Sequence, residues 1–170
     1  MAEVFLLPSI ELGYLGSMET MDIMLRLVGA VVVGGALGLD RDLHSKPTGV
    51  RTLSLVALGS ALAVMAVTGS GEINAVSRVI QGVLTGIGFL GAGVIVRTAG
   101  GEHIHGLTTA AVTWLTACVG VVCGVAEWRV IVVGLPLVFV VLHVGGPLEK
   151  ALHRYWKQRD DDPKPPTNSQ

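Results

Sequence analysis

Five long apolar runs, each bounded by charged or turn residues, constrain this chain more than any other feature of its sequence. A helix that spans a membrane needs about 20 mostly apolar residues, within a range of about 17 to 25. Backbone polar groups cannot stay unpaired in lipid, so such runs must be helical. The runs that qualify are Met21–Leu39, Thr52–Thr68, Val79–Val96, Leu107–Ala126 and Val130–Leu148. The sequence therefore predicts an all-α membrane protein, a bundle of about five transmembrane helices.

The composition agrees with this class and argues against several others. Hydrophobic residues make up 51% of the chain, charged residues make up 15%, and the mean hydropathy is +0.64. A soluble domain carries about 25% charged residues. The formal net charge of −1 offers no basic surface for nucleic acid. Cys118 and Cys123 share one apolar run, which indicates core packing rather than a disulfide or a zinc site. No nucleophile and base are paired, so we expect neither an enzyme nor a cofactor.

Basic residues outside the spans predict the orientation. With five spans the two termini lie on opposite sides, and nine basic residues fall on one side against two on the other. The nine are Arg41, Lys46, Arg51, Arg97, Lys150, Arg154, Lys157, Arg159 and Lys164, and the two are Arg78 and Arg129. Because positively charged loops stay in the cytoplasm, we expect the N-terminus outside and the C-terminus in the cytoplasm.

Three regions follow from this topology. Residues 1–20 form an extracytoplasmic N-terminal segment without lysine or arginine, and residues 21–148 form the transmembrane domain. In residues 149–170, apolar and basic side chains at helical spacing predict a short helix along the lipid headgroups. The proline-containing end of the chain, from Lys157 onward, has no apolar period and should be disordered.

The 23 glycines predict how the bundle packs, because membrane helices approach one another closely at small residues. The first helix carries the stripe Ala30, Gly34, Gly38, and the fourth carries Thr109, Thr113, Thr116, Gly120, Gly124 on one side. The third helix has small residues on two faces, so we expect it to be central. Its packing motif is Gly86, Gly88, Gly91 and Gly93. An alternative is a functional polar seam along Gln81, Thr85, Thr109 and Thr113.

A two-helix repeat is also possible. A shift of 57 residues superposes Gly29 on Gly86, Gly34 on Gly91, Gly49 on Gly106 and Thr52 on Thr109. It lays the first helix on the third and the second on the fourth. Two spans per unit would make the repeats parallel, related by an axis along the membrane normal.

Charged residues within or beside the spans are the candidates for function. Asp22 and Arg26 lie four residues apart near the outer end of the first helix, so they can pair either as an anchor or as a functional intramembrane charge. The first cytoplasmic loop should form a structured hairpin. With the start of the fourth helix it should make a cytoplasmic cluster, in which Arg51 and helix N-termini are partners for the acids. The cluster comprises Asp40, Arg41, Asp42, Lys46, Arg51, Thr52, Thr108 and Thr109.

A metal site or pH sensor on the same side is a second interpretation of these loops. Its residues would be His44, His103, His105, Asp40, Asp42 and Glu102. Because these residues have no fixed spacing, the identity of any metal stays unknown.

Several strings resemble the MgtC/SapB family. Gly38-Leu39-Asp40-Arg41-Asp42 and Lys46-Pro47-Thr48-Gly49-Val50-Arg51-Thr52 are similar to its first-loop signatures. Its third- and fourth-helix motifs are matched by Gly86-Ile87-Gly88-Phe89-Leu90-Gly91-Ala92-Gly93 and Gly106-Leu107-Thr108-Thr109-Ala110-Ala111. Asp40 and Asp42 replace the family's glutamates, and Leu53 stands where a histidine is frequent. The resemblance covers the membrane domain without the ACT-like C-terminal domain of many relatives, so we expect no regulation through such a domain.

The resemblance implies a bacterial inner-membrane protein that supports adaptation to low magnesium and, in pathogens, survival inside macrophages. It implies a non-enzymatic regulator of partner membrane proteins, including the ATP synthase, as well as contact with membrane lipids. The alternative is a magnesium or proton transporter or channel. Magnesium binding calls for carboxylates, and apart from Asp22 near one end no span contains an acid. A transport path would need Gln81, threonine hydroxyls or an interface in a homo-oligomer. We therefore expect a regulator.

Overall fold

The computed structural model describes residues 20–68, 73–97 and 104–160. Five helices and one short antiparallel pair of strands occur in this part of the chain. In order they are α1 (Thr20–Leu43), α2 (Val50–Thr68), α3 (Ile73–Gly93), β1 (Val96–Arg97), β2 (Ile104–His105), α4 (Leu107–Gly124) and α5 (Trp128–Asp160). Residues 98–103, in the third predicted loop, and the predicted N-terminal segment up to residue 19 lie outside the described residues.

Each of the five helices is long and apolar enough to cross a membrane, which confirms the predicted fold class. The third span differs from its predicted bounds. It begins at Ile73 rather than Val79 and ends at Gly93, and Val96 belongs to a strand that pairs with His105. Arg78 did not stop the helix because an exposed arginine in the second turn of a span can reach the headgroups.

The chain divides into two compact units, residues 1–131 and residues 132–170. The first unit contains α1 to α4 and the first turn of α5. Its most buried side chains come from α1, α2 and α4, and they are mainly small. Fully buried examples are Ala30, Leu37, Leu53, Ala57, Ala61, Val64 and Ala117.

Small residues on α1 let its backbone approach α2. The stripe predicted close packing, and the structure identifies α2 as the neighbour. A Cβ atom on Gly34 would lie 2.7 Å from the Leu53 carbonyl oxygen and 2.9 Å from Ala57 Cβ. A Cβ on Gly38 would collide with the backbone of Val50. Helix pairs in membranes gain van der Waals contact by such close approach. The stripe therefore fixes the α1–α2 hairpin.

The predicted threonine and glycine side of α4 is buried. A Cβ on Gly120 would lie 2.8 Å from Ala57 Cα, and one on Gly124 would lie 2.9 Å from the Ala61 carbonyl oxygen. Thr113 and Thr116 are 1% and 0% exposed, and their hydroxyls donate to carbonyl oxygens of their own helix at 2.9 and 2.8 Å. This side therefore packs closely on α2, and its hydroxyls are satisfied internally.

The expectation that the third helix is central was wrong for this chain. A Cβ built on Gly82, Gly86, Gly88 or Gly93 meets nothing within 4 Å in the part that the structure describes. Of the predicted packing motif, Gly91 alone has a neighbour within that range in the described residues, since a Cβ built on it would lie 3.7 Å from Ala110 Cβ. The centre is instead formed where α2 and α4 meet, because their small residues allow closer contact than the larger side chains on the inner side of α3.

The predicted repeat has a structural counterpart. Helices α2 and α4 begin at Val50 and Leu107, which are 57 positions apart in the sequence. Gly34 faces Leu53, and Gly91 faces Ala110, again with both members shifted by 57. The second contact is looser, because a Cβ on Gly91 would lie 3.9 Å from the Ala110 carbonyl oxygen, whereas a Cβ on Gly34 would lie 2.7 Å from the Leu53 carbonyl oxygen. The helix starts and one inter-helix contact therefore follow the offset found in the sequence.

Helix α5 is a single helix of 33 residues that contains Pro136 and Pro147. Gly145-Gly146-Pro147, at the predicted end of the fifth span, does not end the helix, because prolines are tolerated in membrane helices. At about 1.5 Å per residue the helix is about 50 Å long, more than the hydrocarbon core requires. Four residues near its end are exposed, Leu148, Leu152, Tyr155 and Trp156. Their position along the headgroups stays a prediction. The predicted disorder from Lys157 onward was wrong for residues 157–160, which continue the helix, and the rest of the tail lies outside the described residues.

Candidate functional site

A buried arginine joins two helices at one end of the first unit. Arg41 lies in the last turn of α1 and is 5% exposed. Its Nη2 donates a hydrogen bond to Thr109 Oγ1 at 2.6 Å. Thr109 is the third residue of α4 and is 3% exposed. We call this region, with the loop 44–49 and the start of α4, the Arg41 end.

The loop between α1 and α2 is a structured turn, as expected. The Lys46 and His44 backbone N–H groups donate to the Arg41 carbonyl oxygen at 3.0 and 3.2 Å. Asp42 Oδ2 accepts a hydrogen bond from Val50 N at 3.0 Å, so its carboxylate caps α2. Glycine at position 49 lets Asp42 keep this position, because a Cβ there would overlap the Asp42 carboxylate. Asp42 thus joins the end of α1 to the start of α2 through its bond to Val50 N.

The start of α4 is built differently. Gly106 precedes the helix with φ 96°, a left-handed conformation that favours glycine. A Cβ at Gly106 would also collide with the Val94 carbonyl oxygen. Within the described residues no side chain caps this helix start. Its first backbone N–H groups therefore lack the carboxylate that Asp42 supplies to α2.

The proposed metal or pH-sensing set is brought together only in part. His44 Nδ1 lies 2.7 Å from the Asp40 carbonyl oxygen and 3.6 Å from Asp40 Oδ1. Asp42 is instead engaged with the start of α2. His103 and Glu102 lie outside the described residues, as does the side chain of His105.

The structure divides the predicted cytoplasmic cluster. It brings Arg41 to Thr109 and Asp42 to the start of α2. The remaining members are Lys46, Arg51, Thr52 and Thr108, which are exposed, and Asp40, which is half-buried. Pairing of the acids with Arg51 was wrong, because Arg51 points outward from the first turn of α2. The internal link is formed by Arg41, which is buried and reaches Thr109 of α4.

The predicted pair at the other end of α1 is confirmed. Arg26 Nη2 lies 2.7 Å from Asp22 Oδ2. Arg26 Nη1 also donates to the Gly124 carbonyl oxygen at 2.9 Å, a contact that sequence spacing did not predict. Gly124 is the last residue of α4, and a cation beside the C-terminus of a helix is favourable. The pair therefore ties α1 to α4.

The alternative of one polar seam was wrong. Thr109 and Thr113 are buried in the first unit, whereas Gln81 and Thr85 are exposed on α3. The two pairs therefore do not line one internal path. Sequence reasoning placed Gln81 and Thr85 inward because it took α3 to be central.

Fold and contacts together define a polytopic helical membrane protein whose first unit is clamped at both ends by arginines of α1. The MgtC family model matches residues 27–151, and the chain belongs to this family. SrpB of Synechococcus elongatus is 45% identical over 121 residues, which cover 64% of this chain and 66% of SrpB. The chain is thus a multi-pass bacterial membrane protein.

Two further relatives are more distant. YhiD of Escherichia coli K12 is 35% identical over 134 residues, which cover 74% of this chain and 61% of YhiD. MgtC of Salmonella typhimurium is 36% identical over 106 residues, which cover 62% of this chain and 45% of MgtC. The matched stretch thus spans about half to two thirds of each of these curated relatives. No solved structure matches the chain.

Proposed function

We propose that this protein is a non-enzymatic regulator that supports adaptation to low magnesium by binding partner membrane proteins through the outer face of α3. The outer face comprises Gln81, Gly82, Thr85, Gly86, Gly88, Phe89, Ala92 and Gly93, all exposed. Its proposed occupant is a transmembrane helix of another protein. The observation that carries the proposal is the unusual chemistry of this face.

The two sides of α3 have the reverse of the distribution expected for a helix that borders lipid. At about 100° per residue the outer face covers about 160° of the helix. It holds mostly small and polar residues, while Ile80, Val83, Leu84 and Ile87 lie on the opposite, more buried side. Large apolar side chains are best suited to lipid, whereas glycine, alanine and threonine are enriched where membrane helices meet. The outer face therefore suits a protein neighbour.

Polar groups on the outer face give a second reason. Gln81 and Thr85 project from a membrane span, where an amide or hydroxyl gains from a partner across a helix interface. Phe89, which is 85% exposed, lies between the glycines and offers a large side chain to a neighbouring helix. Small, polar and aromatic residues together favour a helix that fits around Phe89 and bonds to Gln81.

The relatives support the link to magnesium. YhiD carries a name that proposes a magnesium transporter, and MgtC gives the family its name. We extend the link to magnesium from these relatives to this protein, but we do not extend the transport activity. In the described spans the acidic residues lie near the two ends of α1, and the buried threonines of α4 bond to their own helix. A magnesium path through this unit would have few oxygen ligands at mid-membrane.

Transport remains the second candidate, because the name of YhiD favours it. For both candidates we propose the inner membrane, with the N-terminus outside and the tail in the cytoplasm. The nine-to-two division of basic residues supports this orientation.

A pair of glycine substitutions tests the regulatory proposal. Gly86→Leu places a large side chain on the outer face, where a Cβ meets nothing within 4 Å. Gly59→Leu is the matched control, since Gly59 is also exposed with nothing within 4 Å. Both variants should accumulate in the membrane at normal levels. Gly86→Leu should lose growth in low magnesium, and Gly59→Leu should retain it.

Site-specific crosslinking from Phe89 in native membranes adds the molecular readout. We expect a crosslink to another membrane protein that Gly86→Leu abolishes and Gly59→Leu preserves. Normal growth of a well-expressed Gly86→Leu variant would overturn the proposal. Crosslinks only to a second copy of this chain would show that the outer face is a homo-oligomer interface and would overturn the proposal of a different partner.

A further inference from the structure

We propose that Arg41 and the start of α4 form a binding site for a phosphate group, supplied either by a phospholipid headgroup or by free phosphate. The proposal does not depend on the outer face of α3. It arises from two positive features that the fold brings together without a matching anion in the described residues.

The first feature is the arginine. Only 5% of Arg41 is exposed, and its Nε is a buried donor with no hydrogen-bond partner among the described residues. Its Nη2 bonds to a neutral hydroxyl, that of Thr109. Among the carboxylates whose side chains the structure describes, none forms an ion pair with it. Asp40, whose charge acts on Arg41, has its carboxylate beside His44. A buried charge without a close counter-ion is costly.

The second feature is the helix start to which Arg41 points. The N-terminus of a helix carries about half a positive charge and free backbone N–H groups, and it attracts anions. The hydrogen bond to Thr109 places the guanidinium in the first turn of α4. A guanidinium beside the positive end of a helix is unfavourable unless an anion lies between the guanidinium and the helix N-terminus. Arg41 would supply the planar set of N–H donors of its guanidinium, and α4 would supply its first backbone N–H groups.

The repeat offset indicates where the anion belongs. At the start of α2 a carboxylate oxygen of Asp42 accepts the Val50 N–H at 3.0 Å. The equivalent helix start, 57 positions later, begins at Leu107 and has no side-chain cap among the described residues. The residue 57 positions after Asp42 is Ala99, whose side chain has no acceptor. The first helix start therefore carries its own anion, and among the described residues the second has no side chain in that role.

The level of Arg41 along its helix suits a phosphate. Helix α1 has 24 residues, about 36 Å at 1.5 Å per residue, against a hydrocarbon core of about 30 Å. Arg41 lies in the last turn and is therefore at the boundary between lipid and water. The adjoining loop contains a second buried, unpartnered donor, the hydroxyl of Thr48, which is 4% exposed. The ligand chemistry is thus that of a phosphate oxyanion at headgroup depth.

The test measures phosphate binding by the purified full chain in a neutral detergent. Inorganic phosphate is titrated at constant ionic strength with chloride as the comparison, and the melting temperature is recorded. In a second arm, native mass spectrometry counts bound phosphatidylglycerol and, for comparison, diacylglycerol, which has the same acyl chains without the phosphate. Wild type should be stabilised by phosphate beyond chloride, or should retain phosphatidylglycerol selectively. The first result identifies free phosphate and the second a headgroup.

Three variants locate the site. Arg41→Gln should weaken binding about 10- to 100-fold, the loss expected for charge-assisted hydrogen bonds. Arg41→Lys keeps the charge but loses the fork, so it should fold even if Arg41→Gln does not and should weaken binding about tenfold. Arg51→Gln removes an exposed arginine and should leave binding unchanged. Equal losses in Arg51→Gln and the Arg41 variants, or no selectivity for phosphate in either arm of wild type, would overturn the proposal.

Discussion

Substitution of Gly120 by alanine adds one methyl group at the closest contact between α4 and α2. The new Cβ would lie 2.8 Å from Ala57 Cα, and ordinary contact begins at 3.4 Å. The helices would have to separate by at least about 0.6 Å, the difference between those distances, and by more to clear the Ala57 carbonyl oxygen, which would lie nearer still. Overpacking of a tight core costs about 1–3 kcal/mol. Because backbone rather than a movable side chain is in the way, we expect the upper part of that range.

The matched variant is Gly86→Ala, for which the added Cβ meets nothing within 4 Å. Both changes gain the same helix propensity, about 1 kcal/mol at most, so the difference between them isolates the packing cost. Reversible unfolding in mixed detergent micelles, followed by circular dichroism, should show Gly120→Ala to be less stable than Gly86→Ala by about 1–3 kcal/mol. Equal unfolding free energies would refute the assignment of α2 and α4 as the tightly packed centre.

Three further predictions concern the ends of the helices. Gly106→Ala should lower the unfolding free energy by about 1–3 kcal/mol, because φ is 96° there; an unchanged melting temperature would contradict this. Asp42→Ala should cost about 0.5–2 kcal/mol through loss of the cap on Val50 N, and Asp42→Asn should recover most of the melting temperature. Arg26→Gln should destabilise by about 1–3 kcal/mol, because its hydrogen bond to the Gly124 carbonyl oxygen is charge-assisted; loss of magnesium-dependent growth with normal stability would instead assign Arg26 a direct function.

Local and pairwise features of this fold could be predicted from sequence. The number of spans follows from apolar length, and the closely packed side of α1 follows from small residues four positions apart. The pairing of Asp22 with Arg26 follows from helical spacing, and the structure confirms it at 2.7 Å. Each of these depends on one helix or on one adjacent pair.

Features that depend on the choice among several possible neighbours could not be predicted in the same way. Small residues on two sides of α3 indicated two neighbours but not that one side would stay open within this chain. Likewise, charge alone paired the acids with Arg51, whereas side-chain length and the rotation of α1 direct Arg41 to Thr109. Rotation of a helix about its axis is set by the whole packing arrangement, which one sequence does not specify.

Magnesium uptake into liposomes that contain only this protein distinguishes regulation from transport most directly. The reconstituted protein should first give the unfolding transition of the purified chain, so that inactivity cannot arise from misfolding. A magnesium-sensitive dye inside the vesicles then reports uptake after external magnesium is added. If the protein regulates partners, uptake should equal that of protein-free liposomes at every protein density. Uptake that rises with the amount of folded protein would contradict the regulatory function and establish transport.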